Sequence, residues 1–515
     1  MLLALLVAVS SVLLGAAWSF VPTTSRAVLG YMRTFATLAA VAVVVMHLLP
    51  EALSELGPLS LLLFLFGWFA PALAHFIGQR GTSGRSQHAV LEAGYWGLIV
   101  HHVADGIGLG TYTRLPSESG SHLDVIVALA AHTVPLIAVV SLAYKTTFGA
   151  RSAILRSVGL ALAGVFGIAL SSLVSASTVE RFAPVIGAVA GGLLLHVVTH
   201  DLTDDAARTP LSRTVDLLVA ALGVGVSLLG VWHTNEPATR EFVRVLRELA
   251  EHAALVILVA LLASAFSLRA ADRSSKWGRA LLPAAPLGAE SVLLSIALFG
   301  FVSAGLRLAL TAAVVALSGT TPAPHSHDAA STPHWRSRVS ETLQASGPWL
   351  SLGLLGGALL LSVPLRHHPE MGRPLIDLLI VAAVANLAPV AAPAAVLIAT
   401  GLAGLGLSAG AVLLFATLAP LCNSLGLSLK LKPRLFTTAA CLAVAALAIA
   451  VGLPSAPLDG ALSEGDLGPR SALVLAVLLL LGIWQRGARL WLSTIVRPPP
   501  HEHEHAHDVH GPHPH

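Results

Sequence analysis

Long apolar runs constrain this chain more than any other feature of its sequence. Each is near or above the roughly 20 residues that an α-helix needs to cross a bilayer. Hydrophobic residues make up 55% of the chain and charged residues 11%, whereas soluble proteins average about 25% charged residues. The sequence therefore predicts an all-α, polytopic membrane protein. In the first half the runs lie at about 1–21, 27–54, 58–79, 88–113, 122–146, 152–175, 181–204 and 212–233.

The second half adds further runs and brings the prediction to about fifteen transmembrane helices in two bundles. That count treats residues 284–317 as one crossing, although the run is longer than one crossing needs and contains Gly305 and Arg307. Such a run is typical of a tilted, broken or re-entrant helix. The further runs lie at about 253–269, 284–317, 347–365, 375–402, 405–428, 434–453 and 471–494.

Polar segments divide the chain into four regions. Residues 1–235 and 253–496 form the two membrane regions, and the polar, amphipathic residues 236–252 are predicted to be a surface helix that connects them. A histidine-rich loop lies at 320–338, and a histidine-rich tail occupies 497–515. The composition of both histidine-rich segments is typical of disorder with weak metal affinity.

The distribution of basic residues predicts the orientation. If the amino terminus is extracytoplasmic, most basic residues of the first half fall in cytoplasmic loops, as the positive-inside rule requires. The same arrangement places the carboxyl terminus in the cytoplasm. The protein as a whole is predicted to lie in the inner (plasma) membrane of the cell. The first run lacks a basic amino-terminal region and is interpreted as a spanning helix rather than a signal peptide. The cytoplasmic residues would include Arg26, Arg33, Arg80, Arg85, Lys145, Arg151, Arg156, Arg208, Arg213, Lys430, Lys432 and Arg434.

Charge and cysteine content exclude several classes of function. The formal net charge is +3, so no nucleic-acid partner is expected. The two cysteines, Cys422 and Cys441, are too few for a disulfide framework or a thiolate-rich zinc site. The sequence contains no nucleophile elbow, phosphate loop or paired-carboxylate hydrolase motif, so we expect neither an enzyme nor an organic cofactor.

The stretch V-H-H-V-A-D-G-I-G-L-G at residues 100–110 carries ionisable side chains at membrane depth. On a helix, His101 and Asp105 share a face, and His102 is rotated about a quarter turn away. Buried ionisable groups in a bilayer persist mainly where they face a partner, a cavity or an ion. The glycines that follow would let neighbouring helices come close. These glycines are Gly106, Gly108 and Gly110.

Other histidines and carboxylates extend this pattern along the first half. Imidazole with carboxylate suits zinc, iron or manganese, and spacing of four residues presents two ligands on one face. The alternative is that each histidine only makes a hydrogen bond between helices, and that a carboxylate at a helix end is solvated. The residues are His47 and Glu51 as an outer group, His132 at the centre, and His196, His200 and Asp201 as an inner group.

Three of these segments resemble the ZIP family of divalent-metal transporters. They are M-H-L-L-P-E-A in the second run, H-H-V-A-D-G in the fourth, and a histidine three residues before proline in the fifth. The resemblance covers roughly residues 1–235 and implies a central metal site. By resemblance, His101 takes the position of the family's histidine, His102 of its asparagine, Asp105 of its acidic residue and His132 of its first fifth-helix histidine.

The fifth run departs from the family pattern. Thr133, Leu136 and Ile137 stand where the family has Glu, His and Glu. Two carboxylates are therefore missing, and we expect one metal with three or four ligands rather than two metals. His102 in place of asparagine adds a nitrogen ligand, which would make the site softer and more zinc- or copper-like. Zinc is the favoured substrate, with iron and manganese as alternatives.

The second half resembles a bacterial permease superfamily more weakly. The run at 404–423 combines glycines, small residues, proline and asparagine, and residues 286–306 are a fainter echo of it. Transporters often place broken helices of this kind at midplane in internal repeats. Glu290 and Asn386 would be the polar groups of such a site, with a simple helix-packing hydrogen bond as the alternative for each.

The sequence thus predicts transport of a divalent metal ion, the substrate, by alternating access. A haem-binding redox protein is an alternative, because histidines on facing helices also serve as axial haem ligands. A metal-binding membrane sensor without transport is another. The expected partners are the metal ion and the lipid bilayer, and a homodimer is a further candidate assembly.

Overall fold

The structure is a computed structural model, and the part of the chain it describes is helical without strands. The all-α prediction is therefore confirmed. Asp201, most of the histidine-rich loop and the whole tail lie outside the described residues. The described residues are 2–20, 26–57, 59–78, 86–112, 123–173, 176–200, 209–234, 237–267, 287–318, 335–363, 374–388, 390–424, 431–450 and 467–496.

The helices of the first half begin and end within a few residues of the predicted runs. The second run consists of two α-helices joined by a π-helical turn, Val44–Leu48. The α-helices are α1 Leu2–Phe20, α2 Arg26–Val43, α3 Leu49–Leu56, α4 Leu59–Gly78, α5 Ser86–Tyr112, α6 Leu123–Phe148, α7 Ala150–Leu170, α8 Ala176–His200 and α9 Pro210–Thr234.

Glycines bring the helices of the first half together in pairs. Helix α1 packs against α6, α2 against α9, α4 against α8, and α5 against α7. A Cβ atom added at Gly15 of α1 would lie within 3.0 Å of the Val134 carbonyl of α6, and one at Gly192 of α8 would meet the Phe64 carbonyl of α4. Backbones approach this closely only where small residues line the interface.

The second half is more broken than predicted. The run 375–402 forms two helices rather than one, and the run 471–494 also forms two, which turn at Gly487 with a φ of 91°. The helices are α10 Pro237–Ser267, α11 Gly288–Ser318, α12 Trp335–Ser362, α13 Pro374–Leu387, α14 Ala392–Gly404, α15 Ala409–Ser424, α16 Leu431–Ala450, α17 Leu467–Arg486 and α18 Ala488–Val496.

Helix α11 folds back on itself at Gly300. Gly300 has φ 80° and ψ 171°, which are not helical angles. The Arg307 side chain donates a hydrogen bond to the Ser291 carbonyl across this break. Along an unbroken helix these two residues would be about 24 Å apart, which is beyond the reach of an arginine. Of the three forms expected for the run 284–317, tilted, broken or re-entrant, the structure shows a broken helix.

The predicted connector is continuous with the helix that follows it, and together they form α10. Its apolar face, which includes Phe242 at 0% exposure, packs against α11, α12 and α17. Its opposite face carries exposed ion pairs from Arg244 to Glu241 and Glu248. Hydrogen bonds from Arg244 lower the pKa of Glu241. The connector is thus one wall of the second bundle.

Side chains of the two halves also meet directly. The Asp216 carboxylate of α9 accepts a hydrogen bond of 2.6 Å from Thr34 of α2 and one of 3.2 Å from the Ala488 amide of α18. The Trp484 indole of α17 donates to Thr214 of α9 at 3.1 Å. Asp216 is 1% exposed, so it ties the second half to the first through buried contacts.

Length and composition identify several helices as able to cross a bilayer. Five of the described segments are long and apolar enough, and shorter apolar helices accompany them. The prediction of a membrane protein is supported at this level, and the count of about fifteen crossings is not confirmed. The five segments are Gly30–Leu56, Ala150–Leu170, Glu290–Val315, Ser337–Ser362 and Leu467–Arg486.

Candidate functional site

Helix α5 holds a histidine and an aspartate in contact inside the first bundle. His101 Nε2 lies 3.3 Å from Asp105 Oδ2, and the two side chains are 4% and 17% exposed. One helical turn separates them, as the spacing predicted. His102 is also 4% exposed, and its ring centroid lies 5.7 Å from that of His101. His101 and Asp105 are therefore in contact, and His102 is buried beside them on the same helix.

His102 and Asp105 line a small cavity of about 20 Å³ between four helices. Helix α5 supplies one wall, and α1, α6 and α7 supply the others. The cavity is mostly apolar. Two helices contribute hydroxyl groups to it, and the pattern of histidines did not indicate these hydroxyl groups. The remaining lining residues are Val7, Ala8, Ser11, Val12, Gly106, Leu109, Thr133 and Gly164.

Glycines allow α7 to close this cavity. A Cβ atom at Gly106 would lie within 3.0 Å of the Gly164 carbonyl of α7, and one at Gly167 would equally meet the Val103 carbonyl of α5. Gly110 is similarly close to Ser171. The predicted close approach is thus confirmed at Gly106 and Gly110. Without it, α7 would stand farther from the His102 and Asp105 side chains.

An ionic and aromatic cluster fixes α5 against α6 and α7, nearer to the amino-terminal end of α5 than the cavity. Arg156 of α7 forms an ion pair with Glu92 of α5. Its guanidinium also lies 4.5 Å from the ring centroid of Tyr144 and 5.1 Å from that of Tyr95. The Tyr144 hydroxyl donates to the Leu91 carbonyl at 3.0 Å. This cluster joins α5, α6 and α7, and so holds the helices that surround the cavity.

Asp105 is the one carboxylate among the residues that line the cavity, where Ser11 and Thr133 add neutral oxygen atoms. Imidazole nitrogen and carboxylate oxygen suit borderline divalent ions such as zinc. Among the described side chains, no three of His, Cys, Asp or Glu converge closely enough to hold a metal ion.

His132 is the expected further ligand, and its side chain lies outside the described set. Its backbone belongs to α6, one residue before the lining residue Thr133. Leu136 and Ile137, which occupy positions of ligands in the ZIP pattern, are 3% and 0% exposed in an apolar cluster. Neither lines the cavity. The cavity therefore receives no side chain from those two positions.

Of the predicted outer group, Glu51 has a described side chain and is not among the residues that line the cavity. Glu51 is an exposed residue of α3. His47 lies in the π-helical turn that precedes α3, and its side chain is not among those described. Turns of this kind are rare and frequently occur at functional sites. The structure thus gives His47 an unusual backbone but does not bring Glu51 to the cavity.

Of the predicted inner group, His196 has a described side chain, and it is not among the residues that line the cavity. His196 of α8 is half-buried, and its ring meets Trp68 of α4 edge-on with 5.9 Å between centroids. His200 is the last residue of α8, and its side chain lies outside the described set. Asp201 follows it, also outside the described residues. The contact of His196 is one that a helix-packing residue would make.

Ser11 lines the cavity although no sequence motif indicated it as a site residue. Helix α1 is apolar along its length, and its serines make ordinary local hydrogen bonds, such as that from Ser11 to the Ala8 carbonyl at 3.1 Å. Such a residue is indistinguishable in sequence from one that faces lipid. Only the packing of α1 against α6 and α7 places it in the cavity.

The polar groups predicted for the second half make hydrogen bonds between helices. Ser346 of α12 donates to Glu290 at 3.4 Å. Asn386 of α13 donates to Thr438 of α16 at 3.1 Å and accepts from Cys422 of α15 at 3.7 Å. These contacts fit the helix-packing alternative for both residues.

No protein-family model, curated protein or solved structure matches this chain. The resemblances described above therefore rest on the sequence motifs alone.

Proposed function

We propose that this chain transports a divalent metal cation across a membrane, with zinc as the favoured substrate and iron or manganese as alternatives. The observation that carries the proposal is the contact of His101 with Asp105 beside a cavity that Asp105 and His102 line. Imidazole and carboxylate groups inside an apolar bundle persist mainly where they face a partner, a cavity or an ion. The resemblance of residues 1–235 to the ZIP transporters is a second support for the proposal.

In the proposed mechanism the cation loses water and draws together imidazole nitrogen from His101 and His102 and carboxylate oxygen from Asp105, three groups that do not converge on one point in this structure. His132 of the facing helix α6 completes the ligand set. Asp105 supplies the formal negative charge, since Ser11 and Thr133 are neutral. Alternating access would expose this site first to the outer group and then to the inner group. The outer group is His47 and Glu51, and the inner group is His196, His200 and Asp201.

One metal ion is favoured over two. Leu136 and Ile137 belong to an apolar cluster, and the lining residue Thr133 has no charge. A second divalent ion would add two positive charges with no further carboxylate among the described lining residues. A dinuclear site of this kind would be strongly repulsive in a medium of low dielectric constant.

We also propose the membrane arrangement that the basic residues indicate. Residues 1–235 form a ZIP-like bundle and residues 253–496 a permease-like one, both in the plasma membrane. The amino terminus faces outward, and the carboxyl terminus faces the cytoplasm. Reporter fusions at the two termini test this, and a carboxyl-terminal reporter that is active only outside the cell would contradict it.

Uptake of radioactive zinc into proteoliposomes tests the proposed transport. His101→Ala and Asp105→Asn should each reduce the rate at least tenfold, because each removes a ligand from the cation. His252→Ala is a matched control, since His252 is an exposed residue of α10. It should transport at the rate of the unmodified protein. Unchanged uptake in both site variants, with all proteins equally folded, would refute the assignment.

A sensor that binds metal without transport is the second candidate. The observation that favours it is the neutral Thr133 in the cavity, where the resemblance implies a carboxylate. Saturable zinc binding in detergent without uptake into proteoliposomes would support this candidate. An intense Soret absorption band of the purified protein would instead indicate the haem-binding alternative.

A further inference from the structure

Arg307 is a buried cation in the second half of the chain. It lies in the returning arm of α11, within the segment Glu290–Val315 that is long and apolar enough to cross a bilayer, and is 2% exposed. A charged side chain in such a place is costly and is retained mainly where it has a function or a partner. The metal site described above does not involve it.

The neighbours of Arg307 are arranged around its guanidinium group. Nε donates to the Ala416 carbonyl of α15 at 2.8 Å. That carbonyl is available because the residue four positions later is Pro420, which has no N–H to donate. Nη1 donates to the Ser291 carbonyl at 3.1 Å and to the Ser295 hydroxyl at 2.6 Å. Both serines lie on the first arm of α11, so the fold at Gly300 creates the site.

The charge of Arg307 is not neutralised by these contacts. All the acceptors are carbonyls or hydroxyls, and no carboxylate among the described residues pairs with the guanidinium. Nη2 is buried and has no hydrogen-bond partner in the described part of the chain. By contrast, Arg156 and Arg244 both pair with glutamates. A buried donor and a buried charge without partners each cost free energy.

We propose that Arg307 is the centre of a binding site for a small oxyanion. An oxyanion supplies both missing elements, a negative charge and an acceptor for Nη2. Arginine suits this role because its guanidinium stays charged and presents its donors in a plane that matches carboxylate and phosphate oxygens. The close packing around Arg307 restricts the anion to a small carboxylate, phosphate or sulfate group.

The same chemistry has two sources, a free anion or the phosphate of a lipid headgroup. On this proposal a free anion would reach the guanidinium between the two arms of α11, which meet at Gly300. If the source is a free anion, small oxyanions are the substrate class of the second half. It is independent of the metal site, because the two occupy different bundles and carry ligands of opposite charge.

Equilibrium dialysis of the full-length protein in neutral detergent with radiolabelled inorganic phosphate tests the proposal. We expect saturable binding that Arg307→Gln weakens at least tenfold, because glutamine retains hydrogen-bonding ability but not the charge. Arg307→Lys should retain part of the affinity. Arg244→Gln is the matched control, because Arg244 is an exposed arginine of α10, and it should bind phosphate as the unmodified protein does.

A second arm distinguishes the source of the anion. The Tm of the protein is measured in nanodiscs of phosphatidylglycerol and in nanodiscs of phosphatidylcholine. A lipid headgroup is identified if the Tm is higher in phosphatidylglycerol and if this difference disappears when Arg307 is replaced. Absence of both phosphate binding and this lipid effect would overturn the proposal, as would equal binding by Arg307→Gln. If that variant does not fold, Ser295→Ala decides the question. It removes an acceptor of Nη1 and should change phosphate affinity at least threefold, and unchanged affinity would overturn the proposal.

Discussion

A carboxylate at position 133 should strengthen metal binding, whereas one at position 136 should not. Thr133 lines the cavity together with His102 and Asp105. Leu136 lies one turn farther along α6 and is 3% exposed in an apolar cluster. Thr133→Glu and Leu136→Glu introduce the same side chain on the same helix. The pair therefore separates the effect of position in the cavity from the effect of charge alone.

The expected size of the first effect follows from the charges. At about 4 Å and an effective dielectric constant of about 20, a unit charge pair contributes about 4 kcal/mol, so a divalent ion and a carboxylate gain about 8 kcal/mol. Desolvation of the carboxylate offsets several kcal/mol of this gain. A net gain of about 1–3 kcal/mol remains, which corresponds to zinc binding about 5 to 150 times tighter in Thr133→Glu.

Leu136→Glu should act on stability instead. Its carboxylate would be buried among apolar side chains that include Val12, Ala40 and Leu98. Burial of an unpaired charge costs about 3–5 kcal/mol, and the loss of a buried leucine adds to this. The variant should unfold at a markedly lower temperature and should not bind zinc more tightly.

Competition titrations with a zinc-chelating dye, in detergent at pH 7.5, measure both affinities. Thermal unfolding of the same preparations measures stability. Tighter binding by Leu136→Glu, or unchanged affinity of a folded Thr133→Glu, would show that the cavity beside Asp105 does not hold the metal.

Two further predictions concern the same bundle. Zinc affinity should fall steeply between pH 7.5 and pH 5.5, because imidazole must be deprotonated to bind metal and the reference pKa of histidine is about 6.5; equal dye-competition affinities at both pH values would exclude histidine ligands. Gly106→Val should destabilise the protein by about 1–3 kcal/mol, because its side chain would meet the Gly164 carbonyl. Gly225→Val is the control, since nothing lies within 4 Å of a Cβ there, and equal unfolding temperatures for the two variants would contradict the packing of α5 against α7.

The hydrophobic runs in the sequence predicted the helices of the first half almost completely. Hydrophobic runs of spanning length identify helices because backbone polar groups in an apolar medium must satisfy one another. The contact between His101 and Asp105 was predictable for a related reason, since side chains four residues apart share a helix face. The close approach at Gly106 and Gly110 followed from the absence of side chains there.

Breaks in the second half were less predictable. The run 375–402 was predicted as one helix, so neither the interruption between α13 and α14 nor the turn at Gly487 was predicted. A glycine permits a positive φ but does not require it. Whether the chain bends at Gly300 depends on contacts between the two arms of α11. One of these is the hydrogen bond that the Ser291 carbonyl accepts from Arg307.

The sequence by itself determined that the chain is helical and membrane-like, and which ionisable residues share a helix face. The tertiary structure alone decided which faces meet. It placed Ser11 and Thr133 in the cavity and directed Leu136 into an apolar cluster. It also buried the apolar face of α10 and enclosed Arg307 between the arms of α11 and α15. Helical periodicity is a property of neighbours along one helix, whereas a site between helices is set by contacts between residues far apart in the chain, which no local pattern encodes.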